Sequence, residues 1–120
     1  GKSYIHKPKN GAFVYAGFLI RVKPNSKILN SNYLSNYVRT KNYWDWVTVM
    51  SMRSGQPGIN GNEFASFIIS LPPIDEQKAI AQILSDMDTE IRKLETKKAK
   101  YQDIKQGMMQ ELLTGKTRLV

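Results

Sequence analysis

The charged side chains that could take part in binding chemistry are mainly cations, 18 Lys or Arg against 10 Asp or Glu. Residues 1–74 contain nine Lys or Arg against only Asp45 and Glu63, a balance of +7, whereas the rest of the chain contains nine against eight, a balance of +1. Ammonium and guanidinium groups gathered on one domain neutralise phosphates well. The first segment is therefore predicted to contact a polyanion. The alternative is a basic surface that serves only solubility.

The other reactive residue types argue against catalysis and against a metal site. The chain has no cysteine, so disulfides and thiolate metal sites are excluded, and His6 is the only histidine. Asp86, Asp88 and Glu90 fall on a predicted helix, where solvated surface charge is more common than an acid–base pair. We find no nucleophile motif, phosphate-binding loop or methyl-donor motif, and we expect no enzymatic activity, no cofactor and no metal.

A long amphipathic helix is the most distinctive element that the sequence predicts. From Ile74 to Leu113 apolar residues recur at alternating steps of four and three, the spacing of a heptad seam. Two prolines precede the helix, and Gly115 stands where a left-handed cap is needed. Such a helix would be roughly 60 Å long at about 1.5 Å per residue, so we expect a partner beyond the domain rather than a fold-back. The seam residues are Ile80, Leu84, Met87, Ile91, Leu94, Tyr101, Met108 and Leu112.

Three short segments before the long helix have the composition of β-strands. They are Phe13–Tyr15, Phe18–Val22 and Ser66–Leu71, each rich in β-branched or aromatic residues and bounded by turn residues. These segments predict a small sheet.

Short helices are predicted between the second and third of these strands. Apolar residues at helical spacing in 33–38 and 43–50 indicate two short helices or one kinked helix. Tyr43 and Trp46 are expected in the core, and Trp44 is left as an exposed candidate for stacking on a base. Asn60 is suited to cap a single helical turn. The fold class is therefore predicted to be α+β, a small partial domain of short strands and helices followed by one long coiled-coil-forming helix.

Three stretches of sequence occur together in this chain. They are GFLIRVKP at residues 17–24, SGQPGIN at 54–60, and LPPIDEQKAIA at 71–81, which runs on through the heptads to MQELLTGK at 109–116. Together they resemble the specificity subunit of type I restriction-modification systems, which reads DNA and tethers the methylating and cleaving subunits. The third stretch is the most specific, since few families join those two ends by a helix of this length.

The resemblance implies a C-terminal fragment of such a subunit. Residues 1–71 would be part of a DNA target-recognition domain, residues 72–115 the long helix, and residues 116–120 a tail. A whole subunit of the family has two recognition domains and two long helices packed antiparallel as a spacer. Two copies of this chain would then pair through the helix as a homodimer, with parallel and antiparallel pairing both open. The same helix would dock the modification (methyltransferase) subunit and, through it, the restriction subunit.

The resemblance also implies that the basic domain binds double-stranded DNA. Phosphate contacts would position the domain, and polar side chains at base edges would read the sequence. We single out the loop Arg53–Gln56 for base reading, with an ordinary solvated turn as the alternative. The candidate DNA-binding residues are Lys2, Tyr4, His6, Lys7, Lys9, Arg39, Lys41, Arg53, Ser54, Gln56 and Asn60.

These features together predict a non-catalytic DNA-binding specificity subunit fragment that contributes to target recognition and to assembly. The alternative is a coiled-coil assembly or adaptor module without DNA recognition, and a weaker third hypothesis is an RNA-binding domain. No apolar run approaches the roughly 20 residues of a membrane span. We therefore expect a cytoplasmic protein with no membrane partner.

Overall fold

The computed structural model describes residues 1–52 and 55–120, and its regular elements in these ranges are helices. The α-helices are α1 (Ser31–Tyr37), α2 (Lys41–Ser51), α3 (Gly61–Ala65) and α4 (Ile74–Leu113), and Pro8–Asn10 forms a 3-10 turn. The chain divides into two compact units, unit 1 (Gly1–Ala81) and unit 2 (Gln82–Val120). The domain limits predicted from the sequence remain a prediction.

The short helices confirm the prediction, and each begins at a side-chain cap. The side-chain oxygen of Asn30 accepts hydrogen bonds from the first turn of α1, and Thr40 does the same for α2. Asn60 and Glu63 form a capping box on α3, with N···O distances of 2.7 and 3.0 Å. These caps satisfy N–H groups that have no intrahelical partner, so the start of each helix is fixed locally.

The long helix α4 is also confirmed, over the range that the heptad pattern predicts. Its first turn closes when the Gln77 N–H donates to the Pro73 carbonyl at 3.0 Å. Beyond its last turn Gly115 has φ +70°, the left-handed geometry of a glycine cap. No helix in the described part of the chain is long and apolar enough to cross a membrane.

The core of unit 1 is small and largely aromatic. Tyr43 and Val47 on α2 are 4% and 6% exposed. The ring of Phe67 lies 4.5 Å from that of Trp46 and 5.6 Å from that of Tyr43. Tyr43 and Trp46 thus take the core positions predicted for them, while Trp44 is 40% exposed.

The predicted α+β fold class is wrong. Residues 1–52 and 55–120 contain no strand, and Phe13–Tyr15, Phe18–Val22 and Ser66–Leu71 are all non-helical and unpaired. A strand is stable only when a neighbouring strand takes up its N–H and C=O groups. The first two segments are instead separated by a turn, in which the Leu19 N–H donates to the Ala16 carbonyl at 2.9 Å. Their large apolar side chains are exposed, so composition alone did not make a sheet.

Candidate nucleic-acid interface and pairing surface

The loop from Tyr4 to Phe13 contains four of the predicted DNA-binding residues. The His6 ring donates through Nε2 to the Gly11 carbonyl at 2.8 Å, and the side-chain amide of Asn10 donates to the Tyr4 hydroxyl. The Phe13 ring lies 5.1 Å from the His6 ring. Gly11 has φ +81°, so the reversal of the chain at this point favours glycine.

These contacts divide the loop residues into two groups. Tyr4 and His6 use their polar atoms to close the loop, whereas Lys7 and Lys9 are exposed near the 3-10 turn and have no carboxylate within 4.0 Å among the described residues. The loop therefore offers two free ammonium groups, the chemistry that a phosphate contact requires. Base reading by Tyr4 or His6 stays a prediction.

Three more predicted cations belong to the helical part of unit 1. The Tyr43 hydroxyl donates to the Gly1 carbonyl at 2.9 Å, which holds the start of the chain on α2 and brings in Lys2 beside it. Arg39 is exposed in the connection between α1 and α2. Lys41, in the first turn of α2, pairs with Asp45 at 2.6 Å. An exposed pair of this kind is weak, so Lys41 can exchange its carboxylate for a phosphate at little cost.

The loop singled out for base reading is described only in part. Arg53 and Ser54 lie outside the described residues. Gln56 is exposed. The side-chain oxygen of Asn60 accepts from the Glu63 N–H, so Asn60 acts as a helix cap and has only its amide N–H groups free for a base edge. In the described residues no three His, Cys, Asp or Glu side chains come together as a metal site would require.

The predicted seam on α4 is an exposed apolar surface along most of its length. Six of its residues are exposed, and Ile80 and Leu112 are half-buried. Lys98 and Lys105 interrupt the second line of the seam. Towards the end of α4 the apolar surface forms a shallow groove lined by Tyr101, Ile104, Lys105, Met108, Met109, Leu112 and Leu113. An unpartnered apolar face of this kind marks an interaction surface.

The charges on α4 are separated by sign along the helix, although the net charge of this part of the chain is close to zero. Residues 74–90 contain five carboxylates and one lysine, a balance of −4, whereas residues 91–105 contain six cations and two carboxylates, a balance of +4. Lys93 pairs with Glu90 at 3.4 Å. Of the other basic residues, Lys97, Lys98, Lys100 and Lys105 have no carboxylate partner among the described residues. The helix thus offers one acidic and one basic half.

Sequence reasoning did not single out Gln77, the most buried side chain that the structure describes, at 0% exposed. It lies one heptad before Leu84, at a position where the seam calls for an apolar residue. A polar residue at a seam position was the available signal, because such residues fix geometry at some cost in stability.

Comparison with known proteins identifies a family and relatives that carry its name. Residues 3–106 match the family model described as the type I restriction modification DNA specificity domain. A putative type I restriction enzyme MjaX specificity subunit from Methanocaldococcus jannaschii is 31% identical over 117 residues, which is 95% of this chain and 27% of the relative. The type I restriction enzyme MjaVIII specificity subunit from the same organism is 29% identical over 101 residues, 84% of this chain and 23% of the relative.

The chain thus spans about a quarter of the length of these curated relatives. No solved structure gave a significant match.

Proposed function

This chain belongs to the family of type I restriction modification DNA specificity domains, and on that premise we propose that it is a DNA-recognition and tethering part of a type I restriction-modification complex. The observation that carries the proposal is the extent of the family match. It runs from residue 3 to residue 106, across the basic unit and most of α4. Both parts therefore belong to one functional module, which acts in the cytoplasm and binds without catalysing a reaction.

Unit 1 is the DNA-contacting part in this proposal. Its first 74 residues have a balance of +7, and Lys7 and Lys9 are exposed cations on a closed loop. Phosphate contacts fix the register of a protein on DNA and dominate its affinity, but they carry no sequence information. Base reading falls to the polar residues of the segment from Arg53 to Asn60.

The long helix is the assembly part. Its exposed seam needs an apolar partner, and we propose two partners. One is the modification (methyltransferase) subunit, which in turn holds the restriction subunit. The other is a second copy of this chain, so that the two helices act as a spacer between two DNA-contacting units.

The charges on α4 favour antiparallel over parallel pairing of two copies. A parallel pair would stack Lys98 on Lys98 and Lys105 on Lys105 within the seam, and it would bring Glu90 beside Glu95. Like charges in these positions destabilise a coiled coil. Parallel pairing is therefore disfavoured by the sequence of the helix itself.

An antiparallel alignment that sets Ile91 of one copy against Leu94 of the other removes these conflicts. Glu90 then faces Lys97 of the second copy, twice per dimer by symmetry. Lys98 falls beside Asp88 of the second copy. The same alignment sets Asp88 of the second copy near Glu95 of the first. The ammonium group of Lys98 offsets the repulsion between these two carboxylates.

The docking proposal is tested by capture of a type I modification (methyltransferase) subunit on this chain. The seam variant carries Leu84→Asp and Ile91→Asp, and its matched control carries Gln82→Asp and Thr89→Asp, which place the same two charges on the opposite side of the helix. We expect the unmodified chain and the control to capture the subunit and the seam variant to lose it. Equal capture by the seam variant would contradict docking through this face.

A further inference from the structure

The side chain of Gln77 makes three hydrogen bonds inside unit 1. Its Oε1 accepts from the Asn30 N–H at 3.0 Å. Its Nε2 group donates to the Ile28 carbonyl at 2.9 Å and to the Pro72 carbonyl at 2.8 Å. Both N–H groups of the amide and its oxygen are therefore used, and the side chain is wholly buried.

These bonds tie the first turn of α4 to the residue that starts α1. Asn30 gives its backbone N–H to Gln77, while its own side chain accepts from the N–H groups of Asn32 and Tyr33 at 2.9 and 3.0 Å. The segment that follows α1 contains Arg39 and Lys41, two of the candidate phosphate contacts. One amide thus connects the beginning of the long helix with the helix that leads to these cations.

Glutamate, leucine and asparagine cannot make the three hydrogen bonds of this glutamine. Glutamate has no donor, so two carbonyl oxygens would face a carboxylate, and leucine would leave the Asn30 N–H and the Ile28 carbonyl without a partner. Asparagine is one methylene too short to reach the same groups. One turn later Ala81, which is 6% exposed, lies on the same side of α4. Its small side chain allows the rest of unit 1 to pack close to the backbone of the helix.

A buried, fully hydrogen-bonded polar group contributes more to a unique arrangement than to stability. An apolar contact at this position would tolerate sliding and rotation of α4, because dispersion forces have little directionality. Three bonds from one planar amide to three backbone groups do not tolerate it. The contact is thus suited to fix how α4 starts, and not only to bury surface.

We propose that Gln77 is a positioning residue for DNA recognition, the joint that fixes the first two turns of the spacer helix against the cap of α1. The role rests on the proposed function, because it matters only if α4 spaces DNA-contacting units. The first two turns of α4, from Ile74 to Ala81, belong to unit 1, and the contact lies wholly within that unit.

The test is a distance measurement inside unit 1. The chain has no native cysteine, so Val49→Cys on α2 and Ala79→Cys on α4 can carry two spin labels at exposed positions, with unlabelled chain in excess to suppress signals between copies. We expect a narrow distance distribution in the otherwise unmodified chain and at least a doubling of its width in Gln77→Leu and Gln77→Glu. Gln82→Leu, at an exposed glutamine of the same helix, should leave it narrow.

A second control separates positioning from general stability. Val47→Ala opens a cavity in the aromatic core and should lower the melting temperature without widening the distribution. If the Gln77 variants keep the narrow distribution, or if Val47→Ala widens it equally, the proposal is overturned.

Amide hydrogen exchange tests the same contact in the unmodified chain, so poor folding of a variant does not affect the result. In the unmodified chain the Asn30 amide should exchange far more slowly than an exposed loop amide such as that of Lys2, because Gln77 holds it. Rapid exchange at Asn30 would overturn the joint. Capture of the modification subunit tests the seam and not Gln77, so failure of the proposed function would appear there and leave these two results unchanged.

Discussion

At the residue scale, Tyr43 links the aromatic core to the start of the chain. Burial raises the pKa of its phenol above the usual value near 10, because the tyrosinate would lose solvation. The folded state therefore holds this proton more tightly than the unfolded state does. The associated stability is fully present below about pH 10 and is lost as the pH rises through the higher pKa of the folded state.

Tyr43→Phe should remove this alkaline sensitivity. At neutral pH the variant loses the hydrogen bond to the Gly1 carbonyl and should be less stable by about 1 kcal/mol. Above about pH 10 the gap from the unmodified chain should narrow, because phenylalanine does not titrate. Urea unfolding at neutral pH and at high pH measures both effects, and Tyr101→Phe, at an exposed tyrosine, is the control. A gap that grows with pH would contradict a raised pKa.

The exposed lysines of the closed loop allow a second prediction at this scale. Lys7→Gln together with Lys9→Gln should weaken binding to any duplex DNA, and the slope of log affinity against log salt should fall by about 2, close to 0.9 for each phosphate that is no longer neutralised. The loop should keep its shape, since its closing bonds come from Tyr4 and His6. Fluorescence anisotropy with a labelled duplex across a salt series makes the measurement. Lys116→Gln with Arg118→Gln removes the same charge elsewhere and should leave the slope unchanged.

At the element scale, the sequence predicts helices well and strands badly in this chain, for one physical reason. The caps at Asn30, Thr40 and Asn60 and the heptads of α4 act within a few residues, so a short window contains the whole cause. A strand needs a partner that is remote in sequence. The composition of Phe18–Val22 shows only that it would suit a sheet, not that one is present.

The site was predictable to a similar degree. The cations of unit 1 and the seam of α4 follow from composition and spacing alone. The engagement of Tyr4 and His6 in hydrogen bonds within the loop does not, because it depends on the chain reversal at Gly11. The joint at Gln77 links segments 47 and 49 residues apart, a distance no local pattern spans.

The proposed antiparallel pairing predicts the effect of exchanging two charges on α4. Lys97→Glu should weaken self-association by at least about fivefold, since it removes two exposed ion pairs worth about 1 kcal/mol together and puts like charges in their place. Adding Glu90→Lys to the same chain should restore it, because the two residues face each other across the dimer. Sedimentation equilibrium measures the association. Lys100→Glu, on the outer face, should have little effect, and failure of the double variant to recover would rule out this alignment.

At the scale of the whole molecule, the positive charge of unit 1 and the nearly balanced charge of α4 predict two kinds of binding that differ in their dependence on salt. The excess positive charge lies in the first 74 residues, while the charges of α4 nearly cancel. Association through α4 depends chiefly on apolar area and responds weakly to salt, whereas phosphate contacts release counterions and respond steeply. Salt dependence therefore separates a DNA-specificity module from an adaptor that only pairs helices.

We expect this chain to bind a duplex of mixed sequence at low salt, with a log-log slope of about −5 if six phosphates are neutralised at about −0.9 each. Lys93→Gln with Lys100→Gln on α4 should leave that slope unchanged, because the contacts belong to unit 1. Absence of binding even at low salt, with capture of the modification subunit intact, would favour the adaptor. Displacement of the duplex by double-stranded RNA at equal concentration would favour an RNA-binding domain instead, since the 2′-hydroxyl and A-form grooves then decide affinity. A steep slope with preference for DNA is the result that only the specificity-subunit proposal predicts, because it requires the charge of unit 1 and the B-form duplex together.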